Sequence, residues 1–208
     1  MDLGFVVDSS SSLGWQKNSS GDWVYHKDGG YFNDEKKFIK QMATNLELST
    51  SGVHASVVQF STTPKLEVPF MDDITKFSTG VDEIEWMGQF TRIDLALDVA
   101  YNQMFQTVNG MRSEGNCNKV VVVMTDGKNE NPKNEGPAPA LSALTTKKFH
   151  DDGIKVIVIG IGNGVDKAEL ELLVNTKDNY HGAKNFDYLL TKKFRKSLLD
   201  CEKLTGKR

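Results

Sequence analysis

The sequence predicts an α/β fold: a doubly wound, mainly parallel sheet with one antiparallel edge strand and helices on both faces. Two patterns carry that prediction. Short runs rich in Val, Ile and Phe alternate with longer stretches of helical periodicity. Four of those runs are also almost continuously apolar, as strands covered by helices on both faces must be. A weaker run bracketed by prolines supplies the edge strand.

The elements follow in order. Residues 3–7 form the opening strand. Residues 13–32 then hold Trp15, Trp23, Tyr25, Tyr31 and four glycines where α/β connections are normally a few residues long, so this stretch reads as an insertion. Asn33 is the expected N-cap of the first helix. Asp34 and Glu35 would meet the positive end of its dipole, and Phe38, Ile39, Met42 and Leu46 would share its apolar face. Residues 55–60 form the second strand, and residues 65–68, between Pro64 and Pro69, form the edge strand. Asp82, Glu83 and Glu85 read as a solvated helix face. Ile93, Leu97, Ala100 and Met104 line the next helix. Residues 120–124 and 154–161 are the remaining apolar strands, and Leu190, Phe194 and Leu198 form the inward stripe of a closing helix. Residues 128–139 form a loop rich in Asn, Glu and Pro. Ligands of open α/β sheets gather beyond the carboxyl ends of the strands, so this loop and the insertion should border the binding face.

Composition narrows the function. At 208 residues without an internal repeat or linker, the chain reads as a single domain over residues 1–208 with a sizeable core. A net charge of -3 argues against a nucleic-acid surface, and the basic cluster Lys192, Lys193, Arg195 and Lys196 is assigned to the end of the last helix, where cations complement the dipole. No apolar run is long enough to cross a bilayer, so no membrane insertion is expected of this domain. A strand entered directly after Met1-Asp2 leaves no stretch for a signal peptide and suggests a domain excised from a larger protein. Cys117 and Cys201 have neither C-x-x-C nor zinc spacing, which leaves buried thiols or one disulfide. Asn18-Ser19-Ser20 is an N-glycosylation sequon. Phosphate-loop, nucleophile-elbow and zinc-protease motifs are missing, and His26, His54, His150 and His181 are scattered. Gly160-Ile161-Gly162-Asn163-Gly164 has the wrong spacing for a dinucleotide loop and reads as a turn. No catalytic residue is assigned, and a Mg-dependent hydrolase is the weaker reading.

The chemistry concentrates at two strand ends. The first strand delivers Asp8-Ser9-Ser10-Ser11-Ser12, and the strand at 120–124 delivers Thr125-Asp126-Gly127 to the same side of the sheet. Two acids brought together there would repel unless a cation sits between them. Hydroxyl and carboxylate oxygens without nearby His or Cys suit Mg²⁺, Mn²⁺ or Ca²⁺ rather than zinc.

These residues resemble the metal-ion-dependent adhesion site of von Willebrand factor A domains and integrin inserted domains. The resemblance rests on Asp8-x-Ser10-x-Ser12, on Thr91 within Gly88-Gln89-Phe90-Thr91, and on Thr125-Asp126-Gly127, and it extends over nearly the whole chain. It implies a Rossmann-like, six-stranded fold and one divalent cation, Mg²⁺ or Mn²⁺ first and Ca²⁺ next. It implies direct bonds from Ser10 and Ser12, with Asp8 held largely through water. Thr91 and Asp126 would exchange direct contact between the engaged and free states. A partner's Glu or Asp would supply the last oxygen, the partner being collagen or another matrix or cell-surface protein; the sequon and the possible disulfide lean towards an extracellular setting. A metal-independent scaffold in an intracellular complex is the alternative.

Two features depart from the family's pattern: the roughly twenty residues before the first helix and the bulk of Phe90. Trp15, Trp23, Tyr25 and Tyr31, with Phe90 and Lys128, form either a recognition rim or, for the four insertion aromatics, the insertion's own small core. In a sheet of this kind Cys117 and the end of the last helix lie at the face opposite the metal. Cys117 and Cys201 could therefore meet in a disulfide that tethers the helix, and two free thiols are the other outcome.

Overall fold

In the computed structural model, which describes residues 1–113 and 117–198, the opening apolar run becomes β1 (Asp2–Asp8), buried along its whole length. It lies inside the sheet because both its edges find parallel partners, β4 (His54–Phe60) on one side and β6 (Lys119–Thr125) on the other. Beyond β6 come β7 (Lys155–Ile161) and β8 (Tyr180–Ala183), both parallel. Beyond β4 lies β5 (Lys65–Met71), antiparallel, giving six strands in the order β5-β4-β1-β6-β7-β8.

Alternation along β1 divides the core into two layers. Leu3, Phe5 and Val7 pack with Phe38, Ile39 and Met42 of α1 (Tyr31–Asn45) and Phe77 of α2 (Ile74–Asp82). Val6 instead faces Ile93 and Leu97 of α3 (Ile93–Val99) and Phe149 of α4 (Lys147–Asp151). Burying each such Leu, Ile or Phe is worth roughly 1.5–3 kcal/mol. Gly4 lies on the second face. A β-carbon there would come within 2.2 Å of Met104 Cε, so the missing side chain is what lets the wide helical turn at Ala100–Met104 sit against the strand. Leu170 of α5 (Lys167–Glu171) joins this layer, while Phe186 of α6 (Phe186–Leu189) and Phe194 and Leu198 of α7 (Lys192–Leu198) close the first.

Several local expectations are corrected. The insertion is not a plain loop: it folds as an antiparallel hairpin of β2 (Trp15–Lys17) and β3 (Trp23–Tyr25), and its last two residues, Tyr31 and Phe32, already belong to α1. Asn33 does not cap that helix. Gly30 occupies the cap position with φ 30°, preceded by Gly29 at φ 81°, and the pair turns the chain from hairpin to helix in a region that side-chain-bearing residues avoid. Asn33 sits in the first turn and donates its backbone N–H to the Gly30 carbonyl. The edge strand runs past Pro69 to Met71, which an edge position permits because one row of its backbone groups needs no partner. Leu190 ends α6 rather than joining the closing helix, and Lys192 and Lys193 open α7 instead of ending it.

Candidate metal centre

Strand register brings the two acids together. Val7 pairs with Met124, so β1 and β6 release Asp8 and Thr125-Asp126 at the same carboxyl edge. Asp8 is fully buried, and its oxygens are held by protein donors: the Thr125 hydroxyl donates to Oδ2 at 2.6 Å and the Ser10 N–H to Oδ1 at 2.8 Å. From there a chain of oxygens runs outward. Ser10 Oγ lies 2.9 Å from Ser12 Oγ, which donates to Asp126 Oδ1 at 2.6 Å. Thr91 is buried, and its Oγ1 would lie 3.3 Å from a β-carbon on Gly127, so the glycine leaves room for the threonine beside Asp126.

Hydrogen bonds fix these loops to one another. Ser11 N–H donates to Gln89 O and Gly88 N–H to Ser9 O, both at 2.8 Å, while the Trp86 indole N–H reaches Ser10 O at 3.0 Å. The Ser9 hydroxyl accepts from the Gln59 amide and from Met87 N–H. On the other side, Glu130 N–H donates to Thr91 O at 2.7 Å, and Asn129 Oδ1 accepts the Ile93 N–H that opens α3. Gly164 approaches so closely that a β-carbon would sit 2.4 Å from Asp126 O. Ser10, Ser12, Thr91 and Asp126 thus line one cleft of about 390 Å³, with Asp8 behind them and Phe90 and Lys128 on its rim. All five candidate ligands predicted from the sequence converge.

The electrostatics of the site are set by buried acids. Burial raises the Asp8 pKa, opposed by the hydrogen bonds from Thr125 and Ser10. Asp126 is pushed up to about 7, first by burial and then by the charge of Asp8. A third acid joins them unannounced. Glu35 is fully buried in α1 with neither carboxyl oxygen hydrogen-bonded, and burial, then Asp8, Asp126 and Asp34, hold its pKa well above the usual carboxylate range. It is therefore not the surface partner of the helix dipole expected of it: with Gly30 as the cap, Glu35 is the fifth residue of α1 and lies past the first turn. Its signal was present in the sequence, because Glu35 lies three and four residues before Phe38 and Ile39 on the stripe that becomes buried. Among the described residues no three His, Cys, Asp or Glu gather as a ligand cluster, so the donor set is two acids and three hydroxyls, which fits a hard cation better than a soft one.

The insertion aromatics differ in packing and exposure. Tyr25 packs between Trp15 and Trp86, with ring centroids 5.2 and 5.8 Å away, and Tyr31 stacks on Phe186 at 4.3 Å. Trp15 and Trp23 remain 47% and 59% exposed, beside the cleft. Asn18 lies exposed in the hairpin turn, its Oδ1 accepting the Ser20 and Asp22 amides. Cys117 is half-buried, and Cys201 lies outside the described residues, so their pairing does too.

Comparison with known proteins agrees with this geometry. The family model for the von Willebrand factor type A domain matches residues 2–196. The collagen alpha-1(VI) chain of Gallus gallus is 30% identical over 186 residues, which is 86% of this chain and 16% of that one. Human matrilin-1 is 26% identical over 86% of this chain and 32% of its own. The chain therefore spans less than a fifth of the collagen and about a third of the matrilin. Among solved structures, proximal thread matrix protein 1 from the mussel byssus superposes with a TM-score of 0.79 at 24% identity, over 97% of this chain and 48% of that one. Another structure of that protein, with a zinc-occupied MIDAS motif, gives 0.77 at the same identity and coverage.

Proposed function

This chain belongs to the von Willebrand factor type A domain family, and from that premise we propose that it is a metal-dependent adhesion module, taking hold of an acidic side chain on a partner protein. The convergence of Ser10, Ser12, Thr91 and Asp126 on one cleft, with Asp8 hydrogen-bonded behind Ser10, carries this reading. Ser10 and Ser12 are the direct ligands. Asp8, held by Thr125 and Ser10, would orient them and act largely through water. Thr91 and Asp126 would share the remaining protein contact, and a site held through Thr91 rather than Asp126 would carry less negative charge and favour a carboxylate from the partner. The cation, Mg²⁺ or Mn²⁺ ahead of Ca²⁺, supplies the positive centre and a coordination place for the partner's Glu or Asp.

Matrix proteins among the relatives support an extracellular setting and a matrix partner, with collagen as the first candidate. In that setting residues 1–208 act as one domain, Asn18 carries an N-glycan, and Cys117 and Cys201 close a disulfide; thiol titration of denatured, unreduced protein should then find no free cysteine. No chemical step is assigned to this cleft.

Calorimetric titration with magnesium, manganese, calcium and zinc tests the reading. One cation should bind per chain, Asp126→Ala should abolish that uptake with the fold intact, and capture by immobilised matrix proteins should vanish in EDTA. Capture that survives both EDTA and Asp126→Ala would establish a metal-independent scaffold instead.

A further inference from the structure

A second cleft, of about 690 Å³, runs beside the candidate metal centre, and the two share Ser12, Asp126 and Gly164. Its walls are Trp15 and Trp23 of the hairpin and the stacked pair Tyr31 and Phe186, with Lys17 and Lys184 between them. Hairpin register explains the first wall. Trp15 pairs with Tyr25 and Lys17 with Trp23, and since residues directly opposite share a face, Trp15, Lys17 and Trp23 stand together. Two half-exposed indoles on one face are a large apolar surface to leave in water. The lysines are placed for a guest as well. Lys17 rests 5.3 Å from the Trp23 ring centroid and Lys184 5.8 Å from that of Tyr188, and neither has an ion-pair partner among the described residues. Apart from Asp126, which belongs to the metal centre, the cleft is cationic on a chain of net charge -3.

We propose that this cleft is the second half of the partner site, receiving an acidic protein segment at two points. One acidic residue meets the metal centre, a bulky apolar residue lies between the tryptophans and Phe186, and a second acidic residue meets Lys17 and Lys184. The proposal rests on the metal-dependent reading above. A protein segment fits better than a sulfated glycan because the wall offers aromatic faces and only two cations, whereas a repeating polyanion would face the negative charge of the rest of the chain.

The test uses the full chain in saturating magnesium and short acetylated glycine peptides carrying one Glu, a Phe and a second Glu, with the gap between the acids varied. At the best gap, changing the second Glu to Gln should weaken binding about fivefold, and changing Phe to Gly about tenfold. Lys17→Gln combined with Lys184→Gln should reproduce the first loss and add nothing against the Gln peptide. Trp23→Ala should reproduce the second. Equal binding of one-acid and two-acid peptides at every gap, no peptide binding at all, or preference for a heparin fragment regardless of Trp23 would each overturn the proposal. If EDTA abolishes peptide binding while the lysine and tryptophan variants leave it unchanged, the metal reading stands and the cleft has no part in it. Binding that survives EDTA but falls in the lysine variants would instead remove the metal reading, and the two-point arrangement with it.

Discussion

Asp126 and Glu35 present the same carboxyl group in two settings, and pH separates their roles. Asp126 sits at the mouth of the cleft with a pKa pushed up to about 7, so in the absence of a cation it is about half protonated near neutrality. Uptake of a divalent cation must then release a proton, and affinity should rise as pH goes from 6 to 8, approaching about tenfold per unit on the acidic side. Calorimetry in two buffers of different ionisation enthalpy would measure that release; a flat profile would mean that Asp126 stays charged without metal. Glu35 lies deeper, without a hydrogen-bond partner. A carboxyl whose folded pKa stands above its unfolded value costs nothing while both states are protonated. Its penalty begins as pH passes the unfolded value of about 4.5 and is complete beyond the raised one. Glu35→Leu should therefore stabilise the metal-free protein at pH 7 by about 1–3 kcal/mol, with the gain shrinking towards pH 4, as read from urea melts at both. An unchanged melt at pH 7 would show that Glu35 has a partner in solution. At this scale the candidate ligands were legible because Asp-x-Ser-x-Ser and Thr-Asp-Gly follow apolar strands, whereas Glu35 was obscured because an acid just after the expected helix cap has an ordinary explanation on the surface.

Between elements, the loops that carry Thr91 and Asp126 are joined through a small polar lattice. Asn129 Oδ1 accepts the Ile93 N–H at 2.8 Å, in effect capping α3 from the other loop, and its amide donates to Pro139 O. The Arg92 guanidinium holds both Asp94 oxygens and, at 2.6 Å, the Asn131 side chain. Thr91 and Asp126 are thus mounted on a shared support, which would let an exchange of their contacts with a cation proceed as one motion. Asn129→Ala should cost about 1 kcal/mol through loss of the cap, and should weaken magnesium binding without removing a ligand. Thermal melts and calorimetry on the same variant check both parts, and unaltered affinity would mean the loops act independently. This lattice could not be read beforehand, because it joins residues 92–94 to 129–131 only after the sheet has formed. The hairpin was not legible, because Trp15-Gln16-Lys17 and Trp23-Val24-Tyr25 show no apolar–polar alternation and three-residue strands are too short for a pattern to stand out. β8 was hidden for a similar reason: Tyr180-His181-Gly182-Ala183 is short, and only Ala183 is buried. The four long apolar strands were legible because burial on both faces leaves few positions for polar residues.

Across the whole molecule, the sheet separates a structural anchor from the binding face. Asp2 opens β1 and Asp8 closes it, so the two buried acids stand at opposite ends of a strand about 20 Å long. Where Asp8 is held by hydroxyl and amide, Asp2 is held by a full charge. Arg112 reaches it with its backbone N–H at 2.8 Å and its Nε at 2.7 Å, and extends to Gly52 O at 3.0 Å, joining the start of β1 to the loop before β4. Replacing both charges with apolar groups could be neutral, but removing only the arginine leaves a buried carboxylate uncompensated, a loss of about 3–5 kcal/mol. Arg112→Met should lower global stability by that amount while metal affinity and its pH profile, measured well below the melting temperature, remain those of the parent. A parallel fall in metal affinity would show that the two ends of the sheet are coupled through β1, and the binding face would then have to be treated as dependent on the anchor beneath it.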